Sequence, residues 1–257
     1  MPCSKILWIV IIVLAIGCLL LLAKSCVRRA KQTEYFDTTS HSKKKICICM
    51  FYTPNISSYS KLSEKINRAY AKRHGYAFVV FKQRLTKRDA QWDKVAFVDK
   101  VLNSGKYHYV FWIDSDAYFN LQLKRLEDVI EIDPAIDLYI CDDLVNSNAK
   151  CLVNTGTFLL RNSSWSRNFM RKWWNHPHSK EFSNKLFHEQ TVLDKMIKSD
   201  PKLKTHIRIY PAEQFNSIIY MDLKKIDCNF IVHLMSRPAG LREQKMREYL
   251  EEKIEKK

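Results

Sequence analysis

"VFWIDSDAYF", residues 110–119, sets Asp114 and Asp116 two positions apart at the end of a strongly apolar, aromatic run. The preceding stretch "YHYVFWI", residues 107–113, reads as a buried strand. Side chains on a strand alternate with period two, so both carboxylates are expected on one side. Two carboxylates beside so much apolar surface repel each other unless positive charge lies between them. A divalent cation is the usual means.

Working outward, the flanking segments alternate between strand and helix patterns. "ICICMFY" (46–52) is a short apolar run and "YAFVVF" (76–81) a second one. Between them, "KLSEKINRAYAKRHG" puts Leu62, Ile66, Ala69 and Tyr70 on one helical face, with Gly75 placed to end it. "WDKVAFVDKVLNSG" repeats the pattern with Val95, Val98 and Leu102 and stops at Gly105. Downstream come a strand at "DLYIC", a segment "LVNTGTFLLRN", strands near "HIRIY" and "FIVHL", and helices at "SWSRNFMRKWW" and "EQTVLDKMI". This order predicts an α/β fold with a mainly parallel sheet covered on both faces. Ligands in such folds bind beyond the carboxyl ends of the strands, where Asp114 and Asp116 fall.

The 257 residues are 46% hydrophobic, enough for one sizeable core behind an N-terminal extension. Residues 1–5 form a short tail. Residues 6–23, "ILWIVIIVLAIGCLLLLA", carry no charge and are long enough to cross a bilayer as a helix. The run exceeds a typical signal-peptide core and no clear A-x-A site follows, which favours an uncleaved signal anchor. Residues 24–45 are polar and basic and read as a stem, 46–240 as the folded domain, and 241–257 as a charged C-terminal helix. Lys24, Arg28, Arg29 and Lys31 outnumber the single Lys5 before the span, which by the positive-inside rule keeps the domain cytoplasmic. That rule weakens for long translocated domains. The net charge of +16 suits an acidic partner, although most of the lysines read as a solvated face. No zinc-finger, RRM or KH signature is present, so no nucleic acid partner is expected.

The eight cysteines exclude little. Cys47, Cys49, Cys141, Cys151 and Cys228 lack C-x-x-C spacing, so zinc is not expected. Cys141 and Cys151 bracket a polar loop, and a disulfide there requires alpha carbons within about 7 Å, which the sequence leaves open. Asn55-Ile56-Ser57 and Asn162-Ser163-Ser164 fit the glycosylation sequon, which acts only on a lumenal domain.

A D-x-D after an apolar strand lets nucleotide-sugar transferases hold a hard cation against the donor diphosphate. Here the match extends beyond that motif. "WIDSDAYF" resembles the D-x-D block of glycosyltransferase family 34, which contains fungal alpha-galactosyl- and alpha-mannosyltransferases and plant xyloglucan xylosyltransferases. "NRAYAKRHGYAFVVF", "QWDKVAFVDKVL", "LVNTGTFLLRNSSWS", "HEQTVL", "YPAEQFNSI" and "FIVHL" are similar to further blocks of that family in the same order, over residues 46–240. Two departures stand out. Glu189 replaces the usual aspartate, and "LMSRP" follows His233 where the family has "FAGC".

The resemblance implies a GT-A (Rossmann-like) fold, a nucleoside-diphosphate sugar donor, a glycan acceptor and retention of anomeric configuration. It implies a Mn2+ or Mg2+ ion held by Asp114, Asp116 and His233, with Lys94 approaching the donor. It further implies Asn154, Thr155 and Gly156 as a turn beside the donor sugar, Glu189 and Gln190 near the anomeric carbon, and a type II anchor in a Golgi or other secretory membrane. Without it, Lys94 reads equally as a solvated helix residue, His233 as a satisfied core histidine, Glu189 as a helix-start carboxylate, and Asn154 and Gly156 as turn formers. Trp165, Trp173 and Trp174 read as helix packing, although acceptor sugars stack on such rings, and Asp142 and Asp143 read as a solvated loop within reach of the active-site edge. Two rival functions stay open: an inactive sugar-binding partner of a transferase complex, and an anchored basic protein that binds anionic polymers.

Overall fold

The computed structural model describes residues 44–143, 151–183, 188–218 and 228–255. The expected membrane span 6–23 and the stem, apart from Lys44 and Lys45, lie outside these residues. Among the described residues no helix is long and apolar enough to cross a membrane.

The strands are β1 (Ile46–Phe51), β2 (Ala77–Phe81), β3 (Tyr109–Ile113), β4 (Ala117–Phe119), β5 (Leu138–Asp142), β6 (Val153–Arg161), β7 (Ile207–Tyr210), β8 (Ser217–Ile218) and β9 (Ile231–His233). The longer helices are α1 (Ser57–His74), α2 (Ala90–Asn103), α3 (Ser164–Asn175), α4 (His188–Ser199) and α5 (Ala239–Tyr249). Gly75 ends α1 in the left-handed conformation at φ 71°, where its amide meets the carbonyls of Ala71 and Lys72. The Ser163 hydroxyl accepts from the Ser166 amide and caps α3.

A six-stranded sheet runs in the order β2-β1-β3-β6-β5-β7. β1 is parallel to β2 and β3, and β5 to β7, but β6 is antiparallel to both β3 and β5. The sheet is therefore mixed rather than mainly parallel. The reason is the short link from β5 to β6: a parallel return needs a crossover of roughly a dozen residues or more.

Period two sorts the strands between two cores. Cys47, Cys49, Val110, Trp112, Ile140, Phe158 and Leu160 pack against Trp92, Val95 and Val98 of α2, Phe169 and Trp173 of α3, and Val192 of α4. Ile46, Ile48, Met50, Phe111, Ile113, Tyr139 and Leu159 face Tyr70, Phe119 and Phe230. Both faces are covered, so β1 and β3 read as unbroken apolar runs. Cys141 and Cys151 are both buried free thiols, and the pairing left open is not made.

A second, three-stranded sheet in the order β4-β9-β8 positions the site. Antiparallel pairing of β4 with β9 sets Ala117 opposite His233, and parallel pairing with β8 sets Ile218 beside it. The chain bends between β3 and β4 through Asp114, Ser115 and Asp116, where the Ala117 amide donates to the Asp114 carbonyl at 3.0 Å. The two carboxylates thus leave a turn and not a continuous strand, so the turn aims them and alternation does not. α5 docks beyond these strands through Met246, Tyr249 and Leu250, which join Tyr59, Ile66, Tyr118 and Leu234 in a third apolar cluster. Packing therefore reaches past the first turns of the C-terminal helix, to Ile254 at the edge of that cluster.

Candidate active site

Every residue expected at the site falls within one connected group. At its centre, the Lys94 ammonium, from the first half of α2, is 5% exposed. It lies 3.1 Å from Asp114 Oδ1 and 3.0 Å from Glu189 Oε1, and it donates to the Thr155 carbonyl at 2.9 Å. The lysine is thus no solvated helix residue. Burial would lower its pKa, but Asp114 and Glu189 together hold it above the usual lysine value.

Trp112, two positions before Asp114 on β3, donates from its indole to Asp114 Oδ1 at 2.7 Å. Burial pushes the Asp114 carboxyl up, offset only in part by Lys94 and reinforced by the charge of Asp116. Asp116 differs. Burial alone would raise it, yet His233, by charge and hydrogen bond, and then the Arg242 guanidinium hold it down at about 2. His233 Nε2 lies 3.2 Å from Asp116 Oδ1, and Arg242 Nη2 lies 3.0 Å from Asp116 Oδ2.

Hydrogen-bond bookkeeping across four side chains decides which way the Nδ1 side of the imidazole is used. Asp143 accepts on Oδ1 from Asn154 Nδ2 at 3.0 Å and on Oδ2 from Gln190 Nε2 at 3.2 Å. Asn154 therefore turns its Oδ1 the other way, accepting from the Gly156 amide at 2.8 Å and from Asn216 Nδ2 at 2.9 Å. That leaves Asn216 Oδ1 facing His233 Nδ1 at 3.0 Å, so Nδ1 carries the hydrogen. Nε2 then faces the Asp116 carboxylate, donating to it when the ring is charged and directing a lone pair at it when the ring is neutral. Two acceptors at that separation repel unless a proton or a cation lies between them.

This donor set could hold a divalent cation. Ligating atoms of Asp114, Asp116 and His233 all lie within 4.8 Å of one another. Two hard oxygens with one borderline nitrogen fit Mn2+ or Mg2+ and leave positions for further oxygen ligands. The hydrogen bond that fixes the imidazole through Nδ1 is the usual outer support of a metal-binding histidine.

The turn expected at residues 154–156 is instead extended chain in the first half of β6. The Thr155 amide donates to Gln190 Oε1 at 3.0 Å and its hydroxyl to Glu189 Oε1 at 2.9 Å. Gly156 owes its identity to close approach: a Cβ there would sit 2.2 Å from His233 Cε1 and 2.6 Å from Nδ1. Glu189 is 3% exposed at the start of α4, its carbonyl held by the Trp173 indole at 2.9 Å. An open cleft beside the carboxylates is lined by Phe51 at the end of β1 and Tyr52, Thr53 and Ile56 after it, by Tyr59, by Ala90, Gln91 and Lys94 of α2, and by Trp112, Asp114, Ser115 and Asp116. A wider cleft of about 490 Å³ between residues 120–124 and Tyr249–Lys253 carries no comparable convergence of carboxylates and imidazole.

Sequence reasoning missed two participants and underrated a third. Asp143 belongs to the site and not to a solvated loop, which its place at the carboxyl end of β5 could have signalled. Asn216 lay in the quoted "YPAEQFNSI" block without a role. Arg242 carried no sequence signal.

Strand order, a carboxylate turn after β3 and an imidazole brought back by a late strand define a Rossmann-like glycosyltransferase fold. A glycosyltransferase involved in glycosylation of the major capsid of PBCV-1 superposes with a TM-score of 0.69 at 16% identity, covering 79% of this chain and 99% of that one. The galactosyltransferase LgtC, in complex with donor and acceptor sugar analogs, gives 0.52 at 12% identity over 79% and 94% of the two chains. The profile of the galactosyl transferase GMA12/MNN10 family matches residues 44–139 and 139–237, and the chain belongs to that family. It is 25% identical over 185 residues to "Probable alpha-1,6-mannosyltransferase MNN10" of Saccharomyces cerevisiae, covering 61% of this chain and 47% of that relative. It is 26% identical over 196 residues to an uncharacterized alpha-1,2-galactosyltransferase of Schizosaccharomyces pombe, covering 63% and 51%. The chain thus spans about half the length of the curated relatives it matches.

Proposed function

We propose that this protein is a membrane-anchored, metal-dependent, retaining glycosyltransferase that moves a hexose or pentose from a nucleoside-diphosphate sugar to a glycan acceptor. The observation that carries the reading is the convergence of Asp114, Asp116 and His233 at one edge of a cleft beyond the carboxyl ends of β1 and β3. Bound there, Mn2+ or Mg2+ would supply charge neutralisation for the departing diphosphate. Family membership and the sugar-transferring relatives support the same class of reaction.

The chain's own residues have separable tasks in this reading. Lys94 holds Asp114 and Glu189 in fixed orientations, so the polar pattern is set before the donor arrives. The backbone of Asn154, Thr155 and Gly156 borders the donor sugar. Glu189 and Gln190 meet that stretch of β6 through Thr155 and lie on the side of the anomeric carbon. Placement in a Golgi or other secretory membrane rests on the apolar span 6–23.

The test is a panel of UDP- and GDP-sugars incubated with purified chain and Mn2+. One donor should release nucleoside diphosphate, with chelator abolishing release, and Asp116→Ala should abolish it at any Mn2+ concentration while the protein stays folded. A folded wild-type protein that hydrolyses and transfers no sugar from the panel would sink the proposal in favour of an inactive, binding relative.

A further inference from the structure

We propose that Arg242 is a positioning residue for Asp116, an inference that rests on the metal reading above. Arg242 stands on the first turns of α5, beyond the region matched by the family profile, which ends at residue 237. Its guanidinium is held by three acceptors at once. Nε donates to the Leu234 carbonyl at 3.0 Å, Nη1 to the Tyr59 hydroxyl at 2.9 Å, and Nη2 meets Asp116 Oδ2 at 3.0 Å. The Tyr59 ring lies beneath the group, 4.9 Å from its carbon.

The arrangement restricts Asp116 in a particular way. The Asp116 carbonyl already accepts from the Leu234 amide at 2.9 Å. Arg242 ties the side chain to the same residue's carbonyl, so both ends of Asp116 are referenced to the strand end that carries His233. With Oδ2 occupied by the guanidinium, Oδ1 is the oxygen left facing His233 Nε2. The carboxylate therefore presents one oxygen, in one rotamer, to the shared site. The arginine itself cannot drift, because α5 is anchored by Met246, Tyr249 and Leu250 in the cluster that includes Tyr59.

Charge and geometry make opposite contributions, which lets them be separated. A guanidinium near a divalent site repels the cation, whereas its planar fork fixes the ligand. Lysine keeps the charge but offers a point donor on a flexible stem and cannot span three acceptors in one plane. Arg242→Lys thus isolates the fork.

The experiment titrates the full chain with Mn2+ in the absence of donor, following free Mn2+ by electron paramagnetic resonance, alongside a melting curve for each variant. Arg242→Lys should weaken Mn2+ binding about 10-fold or more, the range seen when the outer support of a metal ligand is lost. Tyr59→Phe, which loosens the fork but leaves its bond to Asp116, should weaken binding by about threefold or more at an unchanged melting temperature. Arg242→Lys that binds Mn2+ as tightly as wild type overturns this inference alone. Should that variant fail to fold, an unchanged dissociation constant in Tyr59→Phe overturns it instead. Wild-type chain that binds no Mn2+ removes the metal reading, and this inference with it.

Discussion

Gly156→Ala offers a sharp test of how tightly the site is assembled. The added methyl would lie 2.2 Å from His233 Cε1, 2.6 Å from His233 Nδ1 and 2.9 Å from Asn154 Oδ1. Carbon atoms in contact sit about 3.5–4.0 Å apart, so the imidazole must retreat by roughly 1 Å or more. It has little room to do so. His233 is 2% exposed and its strand is paired on both sides, to Ala117 and to Ile218. Overpacking of this kind costs about 1–3 kcal/mol. For a domain of this size that lowers the melting temperature by about 2–12 °C. The retreat also breaks the Asn216 contact to Nδ1 and the 3.2 Å approach of Nε2 to Asp116. Mn2+ affinity should accordingly fall about 10-fold or more, because the outer support and the ligand move together. Differential scanning calorimetry and the donor-free Mn2+ titration measure the two effects on one sample. A variant that melts within about 1 °C of wild type and binds Mn2+ equally well would refute the claim that glycine is there for His233.

Lys94→Met leaves Asp114 and Glu189 buried without their shared cation, and removal of one partner from a buried pair costs about 3–5 kcal/mol. The expected result is a melting temperature lower by roughly 10 °C and no detectable transfer, and a fully stable variant would show that Lys94 is not the keystone of the group. The two sequons should behave differently when the chain is made in a secretory pathway with the domain lumenal. Asn55 is exposed, whereas Asn162 Nδ2 donates to the main-chain carbonyls of Leu102 at 3.0 Å and Tyr107 at 2.9 Å. An endoglycosidase-sensitive mobility shift lost in Asn55→Gln and retained in Asn162→Gln is expected, and the opposite pattern counts against it.

Much of the sheet was legible because its strands are buried on both faces and show as apolar runs, as "ICICMFY" and "YHYVFWI" do. α1 and α2 were legible from their periodic faces and from Gly75 and Gly105. Of the small sheet only β9 was, as "FIVHL". β4 has three residues and β8 two, too short for any period to register. Because those strands were invisible, the meeting of His233 with the D-x-D turn could be expected only from family resemblance. The direction of β6 escaped for a different reason: alternation reports burial and is silent about which way a strand runs. Asn216 and Arg242 act through single contacts made at long sequence separation, and no local pattern encodes such a contact.

The pairing of β4 with β9 also sets a schedule for synthesis. Residues 117–119 leave the ribosome more than a hundred residues before residues 231–233 that complete their sheet. At translation rates of about 5–20 residues per second, that interval lasts roughly 6–23 s. The larger sheet can close once β7 emerges, but Tyr118 must wait for Val232 and Leu234, and then for Met246 and Tyr249 of α5, to cover it. Between the emergence of β7 and that of β9 the nascent chain would hold a folded sheet with an unfinished aromatic edge. Chaperones that bind such edges should therefore engage ribosome-bound chains stalled before residue 231 and release those stalled well past residue 255.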